Sequence, residues 1–282
     1  MIAWIRAGIL ISLSLFTSVC AQKFPARGFS KILNKAEAEE RLKSYRNFVL
    51  QSTDQESFHQ AYSFKFRFRH MPRRGIESEL LGWIAGPRLG SGIFRIELEN
   101  NNTFLVMNPQ NPTAWMTSDS NRSVQVLTKD FLFRPIVYGL NQTFFDLMMP
   151  FVFWPEDYLK SGKVSGRPAH IYQFSIPAWV SSFMPTWHRV TLALDDIYQA
   201  PLRVEIYSSD SRLIRTTSLR SYKKVGGEWI IKSLDCINQE DRSNTRLEIL
   251  GAAVDLDLSR DYFSKTGFHQ PLPISIDAYQ FF

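Results

Sequence analysis

The sequence predicts a mainly β protein: one large curved antiparallel sheet, a half-open β-barrel, with an N-terminal helix and a short helical lid. Three observations predict it. From Phe58 onward, apolar and polar residues alternate with a period of two in most segments. One earlier stretch, residues 31–51, carries the helical period instead. One later stretch, residues 134–154, is apolar and follows neither period. Alternation sends successive side chains to opposite faces of a strand, so it marks a sheet with one buried and one wet face.

The chain opens with Arg6, an apolar run over residues 7–19 and Val19-Cys20-Ala21 ahead of Gln22. A positive flank, a short apolar core and small residues at the end are the marks of a secretory signal, too short for a permanent span. Cleavage after Ala21 is expected, because Val19 is bulky where a lipid-modified cysteine wants a small neighbour; a lipid anchor at Cys20 is the alternative. Residues 22–282 then form a single periplasmic domain. Cleavage after Ala21 leaves Cys236 as the one thiol, which excludes an intramolecular disulfide. A chain of about 260 residues can bury a sizeable core without one.

In residues 31–51, Asn34 stands three residues before Glu37, the spacing of a capping box, and Ala36, Leu42, Tyr45 and Val49 are expected near one helical face. The first strand follows, with Tyr62, Phe64, Phe66 and Phe68 alternating with Ser63, Lys65, Arg67 and Arg69. The pattern returns in Phe94-Ile96-Leu98, Phe104-Val106, Tyr172-Phe174-Ile176, Val190-Leu192-Leu194 and Leu202-Val204-Ile206, read every second residue. Residues 219–235 predict a hairpin turning at Val225-Gly226-Gly227-Glu228, and residues 238–244 a further turn before a last strand. Nine to twelve strands are expected, a number at which a twisted sheet curls or closes. Residues 134–154, framed by Pro135, Pro150 and Pro155, predict a flap with a short helix over residues 143–149, capped by Asn141 or Thr143.

Enzymatic signatures are missing. There is no G-x-S-x-G, P-loop, G-x-G-x-x-G or H-E-x-x-H sequence. His59, His70, His170, His188 and His269 are scattered with no i,i+4 pair, so neither a metal nor another cofactor is expected. Asp195-Asp196 falls where a strand gives way to a turn, and reads as a solvated turn. The formal charge of +6 is mild, and no dense Lys/Arg run suggests nucleic acid. Arg67, Arg69, His70, Arg73 and Arg74 gather near a hairpin tip, where they read as a solvated turn or as a site for headgroups or an acidic partner.

What stands out is the aromatic content, 14% of the chain. An inner face of rings on a curved sheet, with an apolar flap beside it, is either plain core or the wall of a greasy concavity. Such a concavity shelters an acyl chain, whose methylenes each cost about 0.8 kcal/mol to expose to water. Rings give apolar area with little loss of side-chain entropy, and paired methionines repack around different chain shapes. The candidate ligand-binding wall is Tyr62, Phe64, Phe66, Phe68, Phe94 and Phe104; the candidate flap residues are Phe145, Met148, Met149, Phe151 and Trp154.

Four motifs carry a resemblance: Gly82-Trp83-Ile84-Ala85-Gly86-Pro87; Phe145-Asp146-Leu147-Met148-Met149-Pro150-Phe151 with Trp154-Pro155; Gly166-Arg167-Pro168-Ala169-His170; and Tyr222-Lys223-Lys224-Val225-Gly226-Gly227-Glu228-Trp229-Ile230-Ile231. Across residues 55–265 the chain resembles the LolA-type lipoprotein carriers, and more closely their longer outer-membrane lipoprotein-sorting-like branch. The resemblance implies a half-open barrel over a helix, with a lid, that takes acyl chains of lipids or lipoproteins from an inner-membrane donor protein to an outer-membrane acceptor, with transient membrane contact. It also implies a strand arginine that helps latch the lid, for which Arg67, Arg69 and Arg95 are candidates. The expected function is a non-catalytic periplasmic carrier; the alternative is an exported adaptor module with a filled core.

Overall fold

The computed structural model describes residues 31–50, 58–90, 92–118 and 123–282. The export signal, Cys20 and the expected cleavage point lie outside the described residues. No described helix is long and apolar enough to cross a membrane.

Helix α1 spans Lys35–Val49. Asn34 caps it: its side chain accepts from the Glu37 N–H at 2.9 Å while the Glu37 carboxylate accepts from the Asn34 N–H at 2.9 Å. The two contacts satisfy donors that helix geometry leaves unpaired. Ala38, Leu42, Tyr45 and Val49 form the buried stripe. Ala36, expected there, is exposed. The spacing of four, three and four from residue 38 keeps one face, whereas residue 36 falls on the flank.

Among the described residues fourteen antiparallel strands follow: β1 Ala61–Met71, β2 Ser78–Gly86, β3 Ile93–Leu98, β4 Asn102–Met107, β5 Thr113–Ser118, β6 Gln125–Val126, β7 Glu156–Val164, β8 Arg167–Ser175, β9 Arg189–Asp195, β10 Pro201–Tyr207, β11 Leu213–Val225, β12 Glu228–Asn238, β13 Asn244–Leu256 and β14 Gln280–Phe281. The count exceeds the nine to twelve expected because β6 and β14 are two-residue strands with no room for an alternation signal. The order is β6-β5-β4-β3-β2-β1-β13-β12-β11-β10-β9-β8-β7, with β14 beside β13. The sheet is therefore one continuous, unclosed ribbon. Its two ends, β6 and β7, are joined by residues 127–155, which contain the expected flap.

The predicted hairpin between β11 and β12 turns at Gly226 and Gly227, with φ of +56° and +93°. Two left-handed residues in a row give the turn whose twist matches the strands it joins. Two apolar clusters lie on the inner face: one under β1–β5, β12 and β13, the other between α1 and β8–β10. A third forms outside the first strands, where residues 258–274 cover Ala85, Leu105 and Trp115.

Candidate functional site

The wall forms as the alternation requires. Tyr62, Phe64, Phe66 and Phe68 of β1 point into the first inner cluster with Phe94 of β3 and Phe104 of β4, and all six are buried. The Tyr62 and Phe64 rings lie tilted to one another at 4.8 Å, and those of Phe66 and Phe68 meet edge to face at 4.9 Å. The neighbouring strand makes room for them. Gly82 is paired with Phe66 and Gly86 with Tyr62, and a Cβ at either glycine would come within 2.7 Å of the facing ring. These two glycines interrupt the alternation in β2, which is why its period is not legible.

Helix α2, Phe144–Met148, is the core of the flap, and Thr143, one of the two expected caps, holds it. The Asp146 carboxylate accepts from the Thr143 N–H at 2.8 Å in return. Met149 turns the chain with a φ of 49° into a 3₁₀ turn over Pro150–Phe153. The flap residues do not act as one surface. Met148 joins the wall cluster, along with Phe144, whose ring sits 5.2 Å from Phe104 and 5.6 Å from Phe131. Phe145, Phe151 and Trp154 are buried in the α1 cluster with Met149 packed beside them. There Phe145 lies 5.4 Å from Phe151 and 5.0 Å from Trp187, and the Tyr45 hydroxyl donates to the Met149 Sδ at 3.8 Å. The wall and the flap residues named from sequence thus occupy two compartments, meeting at α2.

None of the three candidate latch arginines touches the flap. Arg67 donates to Glu248 at 2.8 Å and Arg69 to Glu77 at 2.8 Å, both on the outer face. Arg95 is buried on the outer side, donating to Glu97 and to the Gln270 carbonyl at 2.7 Å, and burial pushes its pKa down. The flap is held by two other arginines. Arg215 of β11 binds the Asp146 carboxylate and the Asn141 carbonyl, and its Nε lies 3.1 Å from the Cys236 Sγ. Burial disfavours its charge, but Asp146 and Cys236 beside it together outweigh burial and raise its pKa. Arg46 of α1 donates to the Val152 carbonyl at 2.5 Å, the Trp154 carbonyl at 3.2 Å and the Glu156 carboxylate at 2.7 Å. Gln142 adds a buried bond to the Thr245 carbonyl at 3.0 Å. No local pattern marks Arg215, because its role depends on an Asp that is 69 residues away in sequence.

The remaining chemistry-bearing residues are structural or superficial. Asp195 does end its strand, but it is buried rather than solvated: it pairs with Arg167 at 2.5 Å and accepts from the Ile197 and Tyr198 N–H groups. Asp196 binds His170 at 2.8 Å and Arg41 at 3.0 Å, tying β8 to α1. Among the described residues no group of three or more His, Cys, Asp or Glu is placed to hold a metal ion. Arg73 and Arg74 line a surface cleft of about 380 Å³ with His70, Pro72, Asp241 and Ser243.

The comparisons with known proteins bear on this arrangement. A family model described as "Uncharacterized protein" matches residues 158–270. No curated protein sequence matches the chain. A putative outer membrane lipoprotein-sorting protein domain from Vibrio parahaemolyticus superposes with a TM-score of 0.66 at 15% identity, covering 83% of this chain and 100% of that one. A DUF1329 family protein from Desulfovibrio piger gives 0.61 at 14% identity over 79% and 97% of the two chains. A LolA superfamily protein from Nitrosomonas europaea gives 0.56 at 14% identity over 80% and 97%. The fold is that of the LolA-like proteins: a mainly β, curved and unclosed antiparallel sheet with helices against its inner face.

Proposed function

We propose that this protein is a non-catalytic carrier or binding protein for the acyl chains of lipids or lipoproteins, working in the periplasm as a single domain over residues 22–282. One observation carries the reading. Among the described residues no long helix covers the aromatic wall, and its buried off-sheet neighbours, Phe131, Leu132, Ile136, Leu140, Phe144 and Met148, all come from the connection between β6 and β7. That connection is pinned by polar contacts at Asn141, Gln142 and Asp146. With Phe145 anchored in the α1 cluster, the part of this cover that faces the wall gives way, and an acyl chain then takes the place of Phe144 and Met148 against the wall. The LolA-like fold supports the same reading, and passage between an inner-membrane donor and an outer-membrane acceptor would follow from it.

Native mass spectrometry of the protein purified from its own periplasm without detergent tests this. A bound mass matching a lipid or an acylated peptide is the expected result. An unliganded mass, with no uptake of a fluorescent fatty acid afterwards, would overturn it. The dense packing of Phe104 against Phe144 favours a second reading in that event, an envelope adaptor whose filled core is permanent.

A further inference from the structure

Strand β13 exchanges one neighbour for another along its length. It pairs with β12 through residues 244–248, the last pair being Ser233 with Glu248. Beyond that point residues 228–231 of β12 stay with β11, and the edge of β13 at Gly251 and Ala252 takes β14 instead. The sheet is split there, and residues 279–282 fill the split. The Tyr279 hydroxyl lies 2.7 Å from the Ser63 Oγ. Phe281 packs on Gly251, where a Cβ would meet its ring at 2.6 Å. The Phe282 N–H donates to the Leu250 carbonyl at 3.0 Å.

Phe282 points the other way from Phe281, as the strand period demands. It packs against the wall cluster, to which Val225, Ile230, Leu234 and Val254 also belong. Two cations flank its ring: the Lys223 Nζ stands 5.1 Å from the ring centroid and the Lys232 Nζ 5.3 Å. Lys223 lies two residues from Val225, and Lys232 lies between Ile230 and Leu234, so both share the inner face. Each is half-buried, and among the described residues no carboxylate pairs with either. An aromatic face answers an ammonium only weakly. A carboxylate or phosphate forms the stronger, charge-assisted contact. Two ammonium groups that no described carboxylate pairs with, set at the edge of a ring-lined apolar cluster, match the headgroup and chain of an anionic amphiphile.

We propose that the split between β12 and β13 is a binding site for an anionic acyl lipid. Its carboxylate or phosphate headgroup sits between Lys223 and Lys232, and the start of its chain takes the place of the Phe282 ring. The proposal rests on the acyl-binding reading above and names the headgroup class that reading leaves open. Phe282 occupies the site as a stand-in for the ligand, apolar toward the wall and electron-rich toward the lysines.

The test is displacement of a fluorescent fatty acid by three probes sharing one acyl chain: palmitate, palmitoyl lysophosphatidate and neutral monopalmitoylglycerol. The proteins are the unaltered chain, the double variant Lys223→Gln/Lys232→Gln and Phe282→Ala, each confirmed folded by circular dichroism. The unaltered chain is expected to bind at least one anionic probe about tenfold more tightly than the neutral one, and the preferred arm names the headgroup. The double variant should lose that preference while holding the neutral probe unchanged, and Phe282→Ala should bind the anionic probe more tightly. Equal affinity of the unaltered chain for all three probes, or a preference that survives in the double variant, overturns the headgroup site and leaves acyl binding standing. Failure of the unaltered chain to bind any probe overturns both.

Discussion

Phe144 and Phe145 are neighbours in sequence and serve different cores. Phe145 belongs to the cluster that α1 shares with β8–β10, where its ring lies 5.0 Å from Trp187, 5.4 Å from Phe151, 5.8 Å from Phe133 and 5.9 Å from Trp154. Phe144 faces rings of the wall on one side and the rest of its own connecting segment on the other. Burial is equal at the two positions, 3% and 1% exposed, so burial does not distinguish them. What differs is the cluster each ring joins, the aromatic wall for Phe144 and the one that α1 shares with β8–β10 for Phe145. Under the proposed function the second is permanent core and the first exchangeable cover.

Four experiments break or sharpen that contrast. The largest effect is expected from Phe66→Asp, which buries an uncompensated charge in the wall; acyl uptake should vanish, and unchanged uptake by a folded variant would remove β1 from the site. Next comes the pair at α2. Phe145→Ala should cost about 3–5 kcal/mol of unfolding free energy in denaturant melts, as large-to-small changes do in a rigid site. Phe144→Ala should cost roughly half as much, because the connecting segment can settle into the space, and it should retain acyl uptake. Equal losses would erase the distinction between core and cover.

The latch gives the third. Arg215→Met leaves the buried Asp146 carboxylate without its cation, a loss of about 3 kcal/mol. Cys236, buried beside Arg215 and Thr217, should then react with a thiol reagent at least tenfold faster, since the flap above it is freed. An unaltered labelling rate would show that Arg46, Asn141 and Gln142 hold the flap without Arg215. The smallest effect is one of pH. Burial, with Asp146 adding to it, pushes the Cys236 thiol up to about 12 from its ordinary 9.0, and burial likewise raises Tyr45 and Tyr62. The folded state therefore holds these protons more tightly than the unfolded chain. Stability is complete below about pH 9 and falls as pH rises toward 12, with each group adding a slope of up to about 1.4 kcal/mol per pH unit. Chemical denaturation at pH 8, 9.5 and 11 would show the decline, and a flat profile would contradict the burial of these groups.

The fold was largely legible. Alternation in residues 62–68, 94–98, 172–176, 190–194 and 202–206 marked β1, β3, β8, β9 and β10 and told which side chains face inward. The Asn34–Glu37 box set the start of α1, and Gly226-Gly227 set the β11–β12 turn. β2 was hidden because Gly82 and Gly86 give up their side chains to Phe66 and Tyr62. β7 was hidden because it is an edge strand whose residues are nearly all in contact with solvent.

The candidate site was legible as a set of buried rings but not as an arrangement. Dihedral preference and side-chain period are local, so the sequence alone determined that the wall faces inward and that a short apolar helix interrupts the sheet. The tertiary structure decided the rest: that α2 divides its residues between two cores, that Arg215 and Arg46 rather than Arg67, Arg69 or Arg95 hold the flap, and that Phe282 enters the split between β12 and β13. Each of these is a meeting of residues far apart in the chain, and such meetings depend on strand order and register, which no local pattern encodes.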